Sequence, residues 1–173
     1  QGRPLLIAGR TEAIVHFIHT RDVARALCAV LGKSAAAGQI YNIAGSQFCS
    51  IVNYMRLMAE AVGVEPNIIT MPNDLPAHMR SPIVHWLEAT RGSMIFSIDK
   101  ARRELGWEPE LSLAAGLADS YRWFREDGRE RYQYDFSQDD EILAEIEALG
   151  GVGADEGPAR TVHREQLSTL KNM

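Results

Sequence analysis

The sequence predicts an α/β fold in which strands and helices alternate in layers. Three short apolar runs, five helical stretches with their own start and stop residues, and the close alternation of the two carry that prediction. Alternation at such short intervals favours an α/β layer arrangement over a bundle or a sandwich.

The first run, residues 3–8 (RPLLIA), is closed by Gly9 and reads as a strand that begins almost at the first residue. An apolar strand at a free terminus exposes backbone donors and acceptors unless something pairs with them, so the sequence reads as a cut chain. Next, Thr20 is the expected N-cap of a helix, Asp22 sits in its first turn where the dipole favours an anion, and Gly32 stops it. Val23, Ala26, Leu27, Val30 and Leu31 form its apolar stripe. After a small-residue turn at 34–38, residues 40–44 (IYNIA) form a strand candidate ending at Gly45. Ser50 then caps a second helix that runs to Val62 and stops at Gly63.

Residues 67–71 (NIITM) are the third strand, and 72–82 is a proline-punctuated loop carrying His78 and Arg80. Ser97 caps a helix over 98–105, Gly106 terminates it, and Trp107 and Pro109 follow where a helix stop places them. Ser112 opens a longer helix to about Asp127, with Leu113, Leu117, Tyr121 and Phe124 on one face. A last helix over 137–149 has acids in its first turn and Ile142, Leu143, Ile146 and Leu149 as its stripe. From Gly150 onward the chain is glycine-rich and unpatterned, and is expected to be a mobile tail with a frayed helix at its end. No internal repeat is present.

At 173 residues and 46% hydrophobic, the chain suffices for one ordinary core. Its net charge of −5, from 18 basic and 23 acidic side chains, makes no global field that would attract a polyanion. Seven of the acids fall within 138–157, a stretch without Lys or Arg, so the body is near neutral. Cys28 and Cys49 lack the spacing of a metal site or disulfide scaffold and are expected as buried thiols in a reducing compartment. No run of about 18 apolar residues and no signal-peptide pattern occurs, so no membrane partner is expected and the inferred compartment is the cytoplasm.

Three segments, in this order, resemble the carboxy-terminal half of extended short-chain dehydrogenase/reductases, the NAD-dependent epimerase/dehydratase family. FIHTRDVARAL (17–27) resembles the family's F-I-H-V-x-D-V-A-x-A segment, YNIAG (41–45) its Y-N-I-G strand, and KARRELGWEPELSLAAGL (100–117) its K-A-x-x-x-L-G-W-x-P ending. The ending F-x-x-D-D-x-I-L at 136–143 resembles a narrower branch, the chloroplast stem-loop RNA-binding proteins and their bacterial relatives.

The resemblance implies a partial doubly wound, Rossmann-like fold: the carboxy-terminal strands and helices plus a small substrate-binding lobe over 1–149, with 150–173 as the tail. It implies a parent enzyme that uses NAD(P) on a sugar-like or other hydroxylated small-molecule substrate, with a homodimer among its expected assemblies. His19, Asp22, Asn42, Gly106 and Trp107 fall on motif positions whose expected role is structural.

Neither motif of the family's chemistry is in the chain. A dinucleotide needs a glycine-rich strand-to-helix turn, because only glycine lets the backbone approach the pyrophosphate at a helix N-terminus. The nearest cluster, Gly150, Gly151 and Gly153, follows a helix and reads as linker. The family's general acid–base pair resembles Tyr-x-x-x-Lys, and the residues four after Tyr41, Tyr54, Tyr121, Tyr132 and Tyr134 are Gly45, Met58, Arg125, Phe136 and Gln138. The isolated chain is therefore expected to bind no cofactor and to turn nothing over.

In nucleotide-sugar members, arginines grip the substrate diphosphate in two-point contact. Two such places fall on Val15 and, approximately, Glu88, leaving Arg10 and Arg91 as the candidate substrate-binding cations. His16 and His19 lack a third ligand in a matching pattern, so no metal is expected. The alternative function is an RNA-binding or scaffold module. Arg102, Arg103, Arg122, Arg125, Arg129 and Arg131 would form its basic cluster, with Trp86, Trp107 and Trp123 as stacking platforms. The bland reading is a solvated face with pairs such as Arg122 and Glu126.

Overall fold

A computed structural model describes residues 3–8, 12–71, 92–148 and 160–161. The chain divides into two compact units, one of 1–13, 65–92 and 131–173, the other of 14–64 and 93–130.

The first unit holds a parallel sheet. Strand β1 (Leu5–Ala8) pairs with β4 (Ile68–Met71) in the register Leu5↔Ile68 to Ala8↔Met71. All four residues of β4 are buried, as a strand covered on both faces requires. On its other edge β4 pairs in parallel with β5 (Arg160–Thr161), so two residues of the expected tail extend the sheet. A strand of two residues is too short to leave a periodic pattern, which is why the sequence reads there as unpatterned.

Helix α5 (Ser137–Ala148) belongs to the same unit and buries Ile142 and Ile146, one turn apart. The side chain of Asp135 accepts the backbone N–H of Ser137 at 2.9 Å, and Asp139 and Asp140 occupy the first turn. Arg3 ties the sheet to this helix: its guanidinium pairs with Asp140 and lies 4.6 Å from the ring centroid of Phe136.

The second unit is mostly helical. β2 (Ile14–Val15) pairs antiparallel with β3 (Cys49–Ser50), and Met94 donates its backbone N–H to Ile14 on the other side at 3.1 Å. Helix α1 (Thr20–Val30) follows β2, α2 (Ile51–Val62) follows β3, and α3 (Asp99–Leu105) and α4 (Leu113–Glu126) complete the unit. Ser50 and Ser112 cap α2 and α4 as predicted, accepting from Asn53 and Ala115. Gly63 and Gly106 stop α2 and α3 at φ 79° and 64°, the left-handed region that glycine enters without strain. Ala26, Ala44, Ile98, Ala101, Leu105 and Trp107 form the core between α1 and α3.

Several expectations are corrected. His19, not Thr20, caps α1: its backbone is extended and its ring nitrogen takes the N–H of Arg21, while Thr20 is already helical. Ser97 accepts from Asp99 only two residues on, a local turn, so α3 starts one residue later than expected. Cys28 is exposed rather than buried, because α1 turns Ala26 inward and leaves Leu27 and Cys28 outside. Residues 40–44 form no ladder among the described residues, since β3 takes the edge of β2 and side chains hold the segment instead. Arg122 pairs with Asp119, one turn back, rather than with Glu126. The expected loop at 72–82 and Leu149 lie outside the described residues.

Candidate functional site

The motif residues of the second unit converge on the turn between β2 and α1. His16 leaves β2 with both ring nitrogens engaged. A backbone N–H can only donate, so Nδ1 is the acceptor for Phe96 N at 3.2 Å, and Nε2 carries the proton that goes to the Gly45 carbonyl at 2.8 Å. One neutral tautomer is thereby fixed, with both nitrogens spent on backbone groups instead of a metal. The ring stacks on Phe96 and meets Phe48 edge-on, with centroids 6.5 and 5.7 Å away.

Gly45 explains why the YNIAG segment ends in glycine. A Cβ there would stand 2.3 Å from the Phe17 carbonyl oxygen, closer than two non-bonded atoms approach. His19 packs against another glycine: a Cβ on Gly116 would meet its ring at 3.3 Å. The Nε2 of His19 lies 3.5 Å from Asp119, which Arg21 also reaches at 3.2 Å.

Asp22 is the anchor of the group. It is 1% exposed, and its two oxygens accept the backbone N–H groups of Glu110 and Leu111 at 3.0 and 3.1 Å, with Arg25 on Oδ1 at 2.9 Å. Burial pushes its carboxyl up, but the two backbone donors and Arg25 outweigh that and hold it below its ordinary value. Trp107, two residues past the end of α3 at Leu105, is buried, its indole N–H without a partner among the described residues, and Asn42 is exposed.

A cavity of about 70 Å³ opens between these elements, lined on its polar side by His19, Ser46, Gln47, Tyr54 and Ser120. It has room for roughly two water molecules and not for a dinucleotide. Burial raises the Tyr54 phenol above its usual value, and the Cys49 thiol adds to the rise; Cys49 is itself pushed up by burial. Neither group is activated for proton or nucleophile chemistry near neutral pH. Gln47 and Asp119 carry no signal in the sequence, and Tyr54 shows there only as a tyrosine without a lysine four residues on, because no local pattern links 45–54 with 111–120; only the fold brings them together.

The place of the first family arginine, Val15, is a buried strand residue. The candidate cations Arg10 and Arg91, with Glu88 and Trp86, lie outside the described residues. The described glycines with positive φ, at 32, 38, 63, 106 and 128, end helices or sit in turns, and none stands between a strand and a helix start. The described residues therefore do not fit a dinucleotide pyrophosphate. Among them no group of three or more His, Cys, Asp or Glu could hold a metal ion, and no helix is long and apolar enough to cross a membrane.

The parallel sheet and the alternation of strands with helices along the sequence make this an α/β protein with a partial Rossmann-like architecture. The chain is 32% identical over 146 residues to the chloroplast stem-loop binding protein of 41 kDa b of Arabidopsis thaliana, covering 83% of this chain and 37% of that protein. It is 28% identical over 131 residues to the dTDP-glucose 4,6-dehydratase of Escherichia coli, covering 72% and 33%. Among solved structures it matches the Bordetella bronchiseptica enzyme WbmF in complex with NAD+, at 26% identity and a TM-score of 0.53 over 85% of this chain and 37% of that one. No family model matches the chain. The chain belongs to the NAD-dependent epimerase/dehydratase family of short-chain dehydrogenase/reductases. It spans about a third of the length of the relatives it matches.

Proposed function

We propose that the chain is the carboxy-terminal, substrate-side part of an NAD(P)-dependent epimerase/dehydratase acting on a sugar-like or other hydroxylated substrate, and that alone it does not turn over. The observation that supports this best is the combination of family membership with the missing pyrophosphate turn and Tyr-x-x-x-Lys pair. In the whole parent the nicotinamide would accept and return a hydride; the residues of this chain shape the wall against which a substrate lies.

The name of the Escherichia coli relative points to a nucleotide sugar. Against that, Val15 brings no cation to one of the two family places that grip a diphosphate. Arg10 and Arg91 are the residues we assign to phosphate or hydroxyl contact. The proposal takes the cytoplasm as compartment and leaves room for a homodimer of the parent. It is tested by incubating the chain with NAD+ and dTDP-glucose and following reduced nicotinamide and keto-sugar. No product above buffer is expected, and turnover by the chain alone overturns the reading.

One observation favours a second reading, an RNA-binding module: the Arabidopsis relative is named for binding a stem-loop. Trp123 is 54% exposed, Arg129 lies 4.9 Å from its ring centroid, and Arg122 and Arg125 flank Tyr121 on an open groove along α4. A salt-dependent shift of a stem-loop RNA, lost when Arg122, Arg125 and Arg129 become alanine, would support this reading. No shift at low salt rejects it.

A further inference from the structure

Between the 3-10 turn Arg129–Arg131 and helix α5 the chain passes through Tyr132, Gln133, Tyr134 and Asp135, which belong to no helix or strand. No backbone–backbone hydrogen bond of Gln133, Tyr134 or Asp135 occurs among the described residues. All four side chains are exposed, Tyr132 by 71% and Tyr134 by 54%. Aromatic rings left in water beside backbone donors and acceptors without a ladder mark a stretch that another strand can cover.

The rings stand in file. The centroids of Tyr132 and Tyr134 are 5.3 Å apart and those of Tyr134 and Phe136 6.2 Å. Contact between every second residue is what an extended backbone produces, with 132, 134 and 136 on one face and 131, 133 and 135 on the other. Arg3 fixes the far end of the row, since its guanidinium lies over the Phe136 ring and pairs with Asp140 of α5. A row held in place before a partner arrives loses less conformational freedom on binding.

The stretch is complementary to itself. Outward from Gln133 stands a tyrosine on either side, then Arg131 on one and Asp135 on the other. Two copies laid antiparallel with Gln133 opposite Gln133 bring Tyr132 against Tyr134 twice on one face and Arg131 against Asp135 twice on the other. A pairing centred on Tyr132 or Tyr134 sets Gln133 against Arg131 or Asp135 and loses both charge pairs. Arg131 has no ion pair with a described side chain, and the bond from Ser137 holds the Asp135 carboxyl below its ordinary value, so both are charged at neutral pH.

We infer that residues 131–135 are a self-pairing edge through which two copies of this chain associate as antiparallel strands, Arg131 of each copy opposite the partner's Asp135. The charge balance chooses a second copy over a nucleic acid: from Arg131 to Glu141 there is one cation against the four acids Asp135, Asp139, Asp140 and Glu141. Five residues a side is a small contact beside the roughly 20–30 of a standard interface, so the dimer is weak and its population depends on concentration.

Sedimentation equilibrium of the 173-residue chain from micromolar to millimolar concentration should show a monomer passing into a dimer. Arg131→Glu and Asp135→Lys each set like charges opposite one another twice in a homodimer, and each should weaken association about tenfold or more. Mixed in equal amounts, the two variants should regain the parent's association. In the mixed pair the introduced glutamate faces the introduced lysine, and the unchanged Arg131 of one copy faces the unchanged Asp135 of the other.

Recovery on mixing upholds the pairing and its register together. A chain that stays monomeric to millimolar concentration overturns the inference, the edge then being left to some other partner. Undiminished association of Arg131→Glu overturns it as well, since the dimer then uses another face, and this holds even if Asp135→Lys, which removes the acceptor of the Ser137 N–H, fails to fold. Two folded variants that stay monomeric when mixed overturn it too.

Discussion

The carboxylate of Asp22 accepts the backbone N–H of Glu110 at 3.0 Å across 88 positions of sequence, and this bond joins the first turn of α1 to the loop that leads into α4. A second oxygen takes Leu111, so one buried side chain satisfies two successive backbone donors of a partly exposed loop. Asp22→Ala should therefore cost about 3 kcal/mol of folding stability, the loss of buried charge-assisted bonds with their partners left behind. A urea midpoint for the variant measures it, and a loss below about 1 kcal/mol would refute the anchoring role.

The same carboxylate predicts a direction for acid unfolding. Its folded value lies below its unfolded one, so its contribution is complete above the unfolded value, roughly pH 4, and is lost as the pH falls through the lower folded value. Melting temperature followed from pH 6 down to about pH 2 should fall through that window, and the fall should be shallower in Asp22→Asn. Equal slopes in the two proteins would exclude Asp22 as a source of the acid sensitivity.

Gly45→Ala should destabilise the chain by about 2–3 kcal/mol, because the added carbon meets the Phe17 carbonyl oxygen, a backbone atom that cannot swing aside. Gly116→Ala makes the contrasting test. Its added carbon meets the His19 ring at 3.3 Å, so a small shift of a side chain relieves it, and the cost should stay under about 1 kcal/mol. If the two substitutions cost the same, the close approach at Gly45 is not what demands a glycine there.

Trp107 is 3% exposed, and its indole N–H has no partner among the described residues. Removing that donor with Trp107→Phe relieves an unmet bond of about 1–3 kcal/mol while leaving a smaller ring in the core, so the variant should fall within about 1 kcal/mol of the parent. Trp107→Ala should lose about 3–5 kcal/mol, as the whole ring is vacated. Chemical denaturation of both variants checks the pair, and a large loss on the phenylalanine change would mean the N–H has a partner.

What was legible in the sequence is what is local. Ser50, Ser112, Gly63 and Gly106 act within one helical turn of themselves, and the structure places each at its expected helix end. The parallel pairing of 5–8 with 68–71 was legible only as two apolar runs, since register is set by contacts more than sixty residues apart. His19 was visible as a motif residue but not as a cap, because histidine is an uncommon one and Thr20 beside it is a favoured type. The exposure of Leu27, Leu31 and Cys28 was not legible at all. Helical periodicity says which residues share a face and not whether a second layer arrives to cover it. The cavity beside His19 and Tyr54 was hidden for the same reason, its walls coming from four separate stretches.

The most direct measurement is energy transfer from the three tryptophans to NADH, titrated into the 173-residue chain from micromolar to millimolar concentration. The signal should rise linearly with no saturation, as expected where the sequence offers no glycine-rich strand-to-helix turn to cradle a pyrophosphate. A saturable signal with a micromolar midpoint would contradict this, since the dinucleotide would then be held without a glycine-rich turn at a helix start.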